Sequence, residues 1–283
     1  MRRRDWFIQV LCCAVTALLL TGLMTIVGQL FLRARPTLSG GALLGSRTLS
    51  QALRGLPVWD GLWPAMIGTL ALMISVTVCA FPLGLGCAFY LALSTSRFAS
   101  VLRFTLGLLA GVPSIVLGLF GFELLLTLHH LWPQLGTGLW LSTLCLTLLV
   151  LPPLVVTLER AVRSLPPHLR EASASMGFST SQQARYVLLP CCKSSIAGGL
   201  MLTLSRAAED TAVIMLTGAV VSGRLPRGLF AKFDALPLFI YYKSGQYVDA
   251  HDLSLAFTAS LFLLVLSLIL FLLARWALKE VHS

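Results

Sequence analysis

Three ionisable side chains, Arg206, Glu209 and Asp210, interrupt an otherwise apolar run near residues 196–222. One charge at the centre of a membrane helix costs about 2.5–3.5 kcal/mol on insertion scales, so three of them need partners or water. At about 100° per residue, Thr203, Arg206, Glu209, Asp210, Val213 and Thr217 fall on one side of a continuous helix. Two kinds of transport chemistry fit this stripe. An arginine fork stays charged and donates paired hydrogen bonds, which suits a tetrahedral oxyanion moving along it. Alternatively the two carboxylates relay protons, as in a proton-coupled secondary transporter. An Arg206–Asp210 ion pair at i,i+4, locking helices together, is the structural alternative to both. Metal chemistry is not expected: the seven cysteines are scattered without a C-x-x-C pair, and His129-His130 stands apart from other ligand types.

The elements that must hold this stripe are those of an integral membrane protein. The chain has 283 residues, of which 57% are hydrophobic and only 11% charged, with a mean hydropathy of +0.87. Soluble domains carry about 25% charged residues, so a soluble enzyme or a free nucleic-acid binder is excluded. The net charge of +10 is then the basic excess that orients a protein in a bilayer. A spanning helix needs about 20 mainly apolar residues, and six stretches supply them: 6–32, 64–93, 104–128, 138–158, 196–222 and 255–274. Six spans place both termini on one side. With the termini cytoplasmic, the inside segments hold twelve of the 21 basic residues and the outside loops eight, a mild preference for that orientation. Residues 1–63 read as a first helix and an extracytoplasmic loop, and 64–283 as the main transmembrane domain. Pro82 and Pro113 are the expected helix breaks.

Residues 159–195 form the longest polar stretch facing the cytoplasm in this arrangement. Pro166-Pro167 suits a helix first turn, Gly177 can supply the left-handed residue that ends a helix, Thr180 with Gln183 fits a capping box, and Pro190 marks a break before the fifth span. The loop should fold as helix, glycine turn and helix. Glu171-Ala172-Ser173, then Gly177, then Leu189-Pro190 resembles the EAA loop of ABC-importer permeases, with Ser173 standing for the second alanine. The resemblance implies a coupling helix that docks on a cytosolic ATPase and a type I ABC importer permease fold, all-α with six transmembrane helices.

Arg206-Ala207-Ala208-Glu209-Asp210-Thr211-Ala212 is similar to the R-A-x-G-E-T-A segment of the phosphate-specific (Pst) importer permeases. Gly68-Thr69, Pro82-Leu83-Gly84 and Gly111-Val112-Pro113-Ser114-Ile115-Val116 also resemble that family. The form of the last span and the Leu236-Pro237 region look more PstA-like than PstC-like. The likeness implies import of inorganic phosphate through a path that includes Arg206, Asp210, Glu209, Thr203 and Thr217; another oxyanion is the alternative cargo. It implies no cofactor, and as partners a PstC-like permease, a PstB-like ATPase dimer and an extracytoplasmic PstS-like binding protein in a bacterial inner membrane. The chain contains no G-x-x-x-x-G-K-[ST] phosphate loop, so ATP hydrolysis falls to a partner. Asp210 stands where the family has glutamate, which shortens the reach. Glu209 stands where it has glycine, which adds a carboxylate that must be protonated, paired with Arg206 or turned away.

Overall fold

The computed structural model describes residues 2–38, 61–246 and 249–279. The outer loop expected within residues 1–63 falls mainly on 39–60, outside the described residues. α1 (Arg2–Ala34) ends in a 3-10 turn at Arg35–Thr37, and α2 (Trp63–Leu93) runs uninterrupted through Pro82. α3 (Arg97–Ala110) and α4 (Ser114–His129) meet at an elbow of 103°, followed by α5 (Leu139–Arg163). The elbow falls at Gly111-Val112-Pro113, where the proline ring drives the preceding residue out of helical geometry. α3 is itself held at its start by the Ser96 hydroxyl, which accepts from the Ala99 N–H at 3.2 Å.

The chain then folds α6 (Pro167–Ser175), α7 (Thr180–Gln183), a π-turn at Ala184–Leu188 and α8 (Leu189–Cys191). α9 (Lys193–Glu209) and α10 (Ala212–Thr217) follow, then two short parallel strands, β1 (Ala219–Val220) and β2 (Phe233–Asp234). α11 (Leu236–Gly245) and α12 (Ala250–Lys279) complete the described chain. Four segments are long and apolar enough to cross a membrane: Ile8–Thr37, Trp63–Leu93, Leu139–Arg163 and Ala250–Leu273. Two bent helix pairs, α3 with α4 and Thr180–Cys191 with α9, raise the number to six if each is one span.

α5 is the centre of the body. Its apolar stretch is 67% buried, against 28% for α2 and for α12. Inside a bilayer, lipid tails are as apolar as leucine, so helices associate through close packing and interhelical hydrogen bonds. Gly84 of α2 and Gly199 of α9 both face Leu154 of α5, where an added Cβ would crowd the leucine side chain, closely at Gly84 and less so at Gly199. Leu72, Val76, Leu146, Leu154 and Leu158 fill the seam, while Leu18, Phe104, Phe120 and Leu268 point outward, as lipid-facing residues do. None of the apolar stretch of α1 is buried. Its C-terminal end is fastened to α12, where the Thr37 and Thr258 hydroxyls lie 2.6 Å apart.

The turn between β1 and α11 is built around Asp234 and the Gly68-Thr69 pair. The Asp234 carboxylate accepts from the Ser222 hydroxyl at 2.7 Å, the Ser222 N–H at 3.0 Å and the Gly223 N–H at 2.7 Å. Burial pushes its carboxyl above the ordinary range, although the Ser222 and Gly223 hydrogen bonds pull it down. Only glycine fits at 68, because a Cβ would run into the Asp234 carbonyl oxygen. The neighbouring Thr69 hydroxyl accepts from the Leu236 N–H at 2.9 Å and donates to the Ala65 carbonyl at 2.8 Å.

Candidate functional site: an arginine-lined cavity and a projecting knob

The fifth apolar stretch is not one helix. α9 stops at Glu209, and Asp210 is extended, with φ −75° and ψ 114°. Its Oδ1 accepts from the Val213 N–H at 2.9 Å and so starts α10. The i,i+4 ion pair expected between Arg206 and Asp210 therefore does not form. A single helical stripe holding all the charges is corrected as well, because the backbone break turns them onto different neighbours.

Arg206 and Thr203 line a cavity of about 590 Å³ between the α3–α4 elbow, α5 and α9. Its walls are apolar, with Leu106, Val112, Pro152, Val155 and Leu202 among them. Thr203 is buried and its hydroxyl donates to the Gly199 carbonyl at 3.0 Å, which leaves its lone pairs to accept. Among the described residues Arg206 forms no hydrogen bond or ion pair. An unpaired guanidinium beside a low-dielectric wall has the chemistry to bind hydrogen-bond acceptors of negative charge.

Glu209 is turned away. Its Oε1 accepts from the Ser205 hydroxyl on its own helix and from the Ser267 hydroxyl of α12, each at 2.9 Å. It lines a separate hollow of about 370 Å³ with Ile240, Ser260 and Leu263. Of the three arrangements open to this carboxylate, the structure adopts the one that keeps it off the arginine cavity. Thr217 is also elsewhere: it is fully buried, donates to the Val213 carbonyl at 2.8 Å and lies 2.8 Å from the Ser142 hydroxyl, a polar tie between α10 and α5.

Two further charged residues line the cavity, Arg103 and Glu159. Glu159 is paired with Arg163 four residues on in the same helix and with Arg103 of α3, each at 2.9 Å; the first spacing is open to a helical reading of the sequence, the second less so. The signal was available in the recurrence of Arg103, Leu106, Gly107 and Ala110 at helical spacing ahead of Pro113, which marks one face of α3. A Cβ added at Gly107 would meet nothing within 4 Å. The glycine lines the cavity instead of sealing a helix pair.

The knob is built as the residue pattern requires. α6 ends in a Schellman motif: Phe178 N–H donates to the Ser173 carbonyl at 3.2 Å and Gly177 N–H to that of Ala174 at 2.9 Å, with Gly177 at φ +77°. The capping box lies one residue earlier than expected, with Ser179 and Gln182 in place of Thr180 and Gln183. Gln183 donates to the buried Ser173 hydroxyl at 2.6 Å, tying the two helices together. Glu171 and Ala172 remain exposed on the outer surface, as does Met176. The break expected around Pro190 ahead of the fifth apolar stretch is present: α8 ends at Cys191, and the chain bends by 80° at Cys192 before α9 begins. Leu189 is half-buried and Pro190 exposed at that corner. Among the described residues, no group of three or more His, Cys, Asp or Glu could hold a metal ion.

A multi-pass helical body, a bend-built cavity and a projecting helix–glycine–helix knob define a membrane transport subunit rather than an enzyme. Residues 80–282 match the family described as binding-protein-dependent transport system inner membrane component. The chain belongs to that family, the multi-pass inner-membrane permeases of ABC importers, which work with a second permease, an ATPase and a substrate-binding protein. It is 32% identical over 215 residues to a phosphate transport system permease protein PstA of Haemophilus influenzae, covering 75% of this chain and 74% of that one. It is 31% identical over 194 residues to a phosphate transport system permease protein PstC 1 of Mycobacterium bovis, covering 60% of this chain and 57% of that protein. The fold matches a bacterial ABC transporter involved in import of the acidic polysaccharide alginate, with a TM-score of 0.67 at 16% identity, covering 99% of this chain and 98% of the other.

Proposed function

We propose that this chain is the PstA-like permease subunit of a phosphate importer, with both termini cytoplasmic. The observation that carries this reading is Arg206, unpaired on the wall of a half-open, largely apolar cavity that the buried Thr203 also lines. The phosphate permeases among its relatives support the cargo. Partners would be a PstC-like permease, a PstB-like ATPase dimer docking on the knob around Glu171, Ala172 and Gly177, and a PstS-like binding protein. ATP-driven closure of the ATPase would move the knob, and the 80° bend at Cys192 would pass that motion into α9 and so to Arg206. Arg206 would hold the anion weakly, since the other arginine on the cavity, Arg103, is paired with Glu159 and leaves a single unpaired fork. A proton relay through Glu209 and Asp210 fits less well, because one carboxylate sits in a serine cradle and the other caps α10.

Arg206→Ala tests the reading in the assembled complex. Phosphate uptake should fall at least about tenfold, the loss of one charge-assisted contact, while the ATPase still co-purifies. Unchanged uptake would remove Arg206 from the path.

A further inference from the structure

A carboxylate on the wall of an anion cavity repels the cargo unless it serves something else. Glu159 Oε1 accepts from Arg103 Nη2 at 2.9 Å and from Arg163 Nε at 2.9 Å. Both arginines also donate through Nη2 to the Leu91 carbonyl near the end of α2, at 3.3 and 2.9 Å. The carboxylate side chain is only 11% exposed, whereas Arg103 is 47% and Arg163 51% exposed. Arg103 and Glu159, but not Arg163, line the same cavity as Arg206. Arg103 meets Glu159 through a single nitrogen. Its Nε and Nη1 form no hydrogen bond among the described residues, so the two-point fork that guanidinium and carboxylate can form is not used.

We infer that Arg103 is a second contact for the oxyanion, and that Glu159 is the positioning residue that keeps Arg103 occupied until the anion displaces it. The inference rests on reading the chain as an oxyanion permease. With Glu159 in place, an anion moving from Arg206 towards the knob end must compete with a resident carboxylate for Arg103. The second arginine therefore draws the anion onward without trapping it. If Arg103 were free, it and Arg206 would form a two-cation trap, and release would limit the rate. Arg163 keeps Glu159 from following Arg103 into the cavity, since the Arg163 side chain holds both Glu159 and the Leu91 carbonyl.

The test uses the whole complex, this chain with its companion permease, ATPase and binding protein, in proteoliposomes. ATP and graded inorganic phosphate are trapped on the ATPase side, and initial uptake of labelled phosphate, sulfate or molybdate is followed. For Glu159→Gln, the trapped phosphate concentration that half-inhibits uptake should fall about tenfold, as removal of one charged competitor implies. Adding Arg103→Gln should reverse the fall. Arg103→Gln alone, at a half-exposed position, should raise the half-inhibiting concentration even if Glu159→Gln does not assemble. An unchanged value in either assembled variant overturns the inference and leaves Glu159 as a tie between α3 and α5. If the wild type carries sulfate or molybdate instead, the shift is read with that anion: the phosphate reading then fails while the inference stands. ATP hydrolysis with uptake of none of the three overturns both.

Discussion

At Arg206 the neighbouring carboxylates decide what the guanidinium can do. Asp210 caps α10 and Glu209 is held by Ser205 and Ser267, so neither neutralises the arginine. Arg206→Lys keeps the charge and removes the planar fork. Uptake should fall severalfold but stay above that of Arg206→Ala, and initial rates at saturating binding protein would show the order; equal rates would mean that only charge matters. Glu209→Gly restores the residue found at that position in the phosphate permeases the sequence resembles. It should leave uptake within about twofold of wild type. The α9–α12 contact would weaken by about 1 kcal/mol for the lost serine hydrogen bonds, read as a lower melting point in detergent. Abolished uptake would return Glu209 to the path. The ion types at 206, 209 and 210 were legible in the sequence. Their partners were not, because the break at Asp210 depends on one side chain capturing the Val213 N–H, which propensity alone does not reveal.

Among the elements, the knob was the most legible, because its turn depends on local chemistry. Only a residue at ease at φ +77° can follow Met176, and Gly177 is that residue. Gly177→Val should cost about 1–2 kcal/mol locally and uncouple the ATPase. Co-purification of the ATPase and uptake should drop together while the permease stays in the membrane; normal values for both would contradict a docking role. The elbow at Pro113 and the bend at Cys192 were less legible. A proline announces that a helix is perturbed, but tertiary packing decides whether it bends sharply, as at 113, or runs on, as at Pro82. Thr69→Val tests the outer turn, since it leaves the buried Leu236 N–H without its acceptor. Thermal stability in detergent should fall by the equivalent of about 1–3 kcal/mol, with uptake reduced in proportion to folded protein. An unaltered melting curve would mean that Thr69 is not what holds the turn.

In the whole molecule, apolar runs were enough to show a multi-pass membrane body, with four spanning helices and six if each bent pair is one span. The cavity was out of reach because it is assembled from four separated parts of the chain: the end of α2, α3 with its elbow, α5 and α9. Its charge balance depends on Arg103 and Glu159, 56 residues apart. The large apolar surface of α1 and the half-open arginine cavity both suit one member of an assembly more than a lone transporter. The most direct measurement reconstitutes this chain with its companion permease, ATPase and binding protein, then follows ATP-dependent uptake of labelled phosphate with excess unlabelled phosphate, sulfate or molybdate. Uptake blocked by phosphate alone is the expected result. Robust ATP hydrolysis with no phosphate uptake, or uptake without any ATPase, would contradict the assignment.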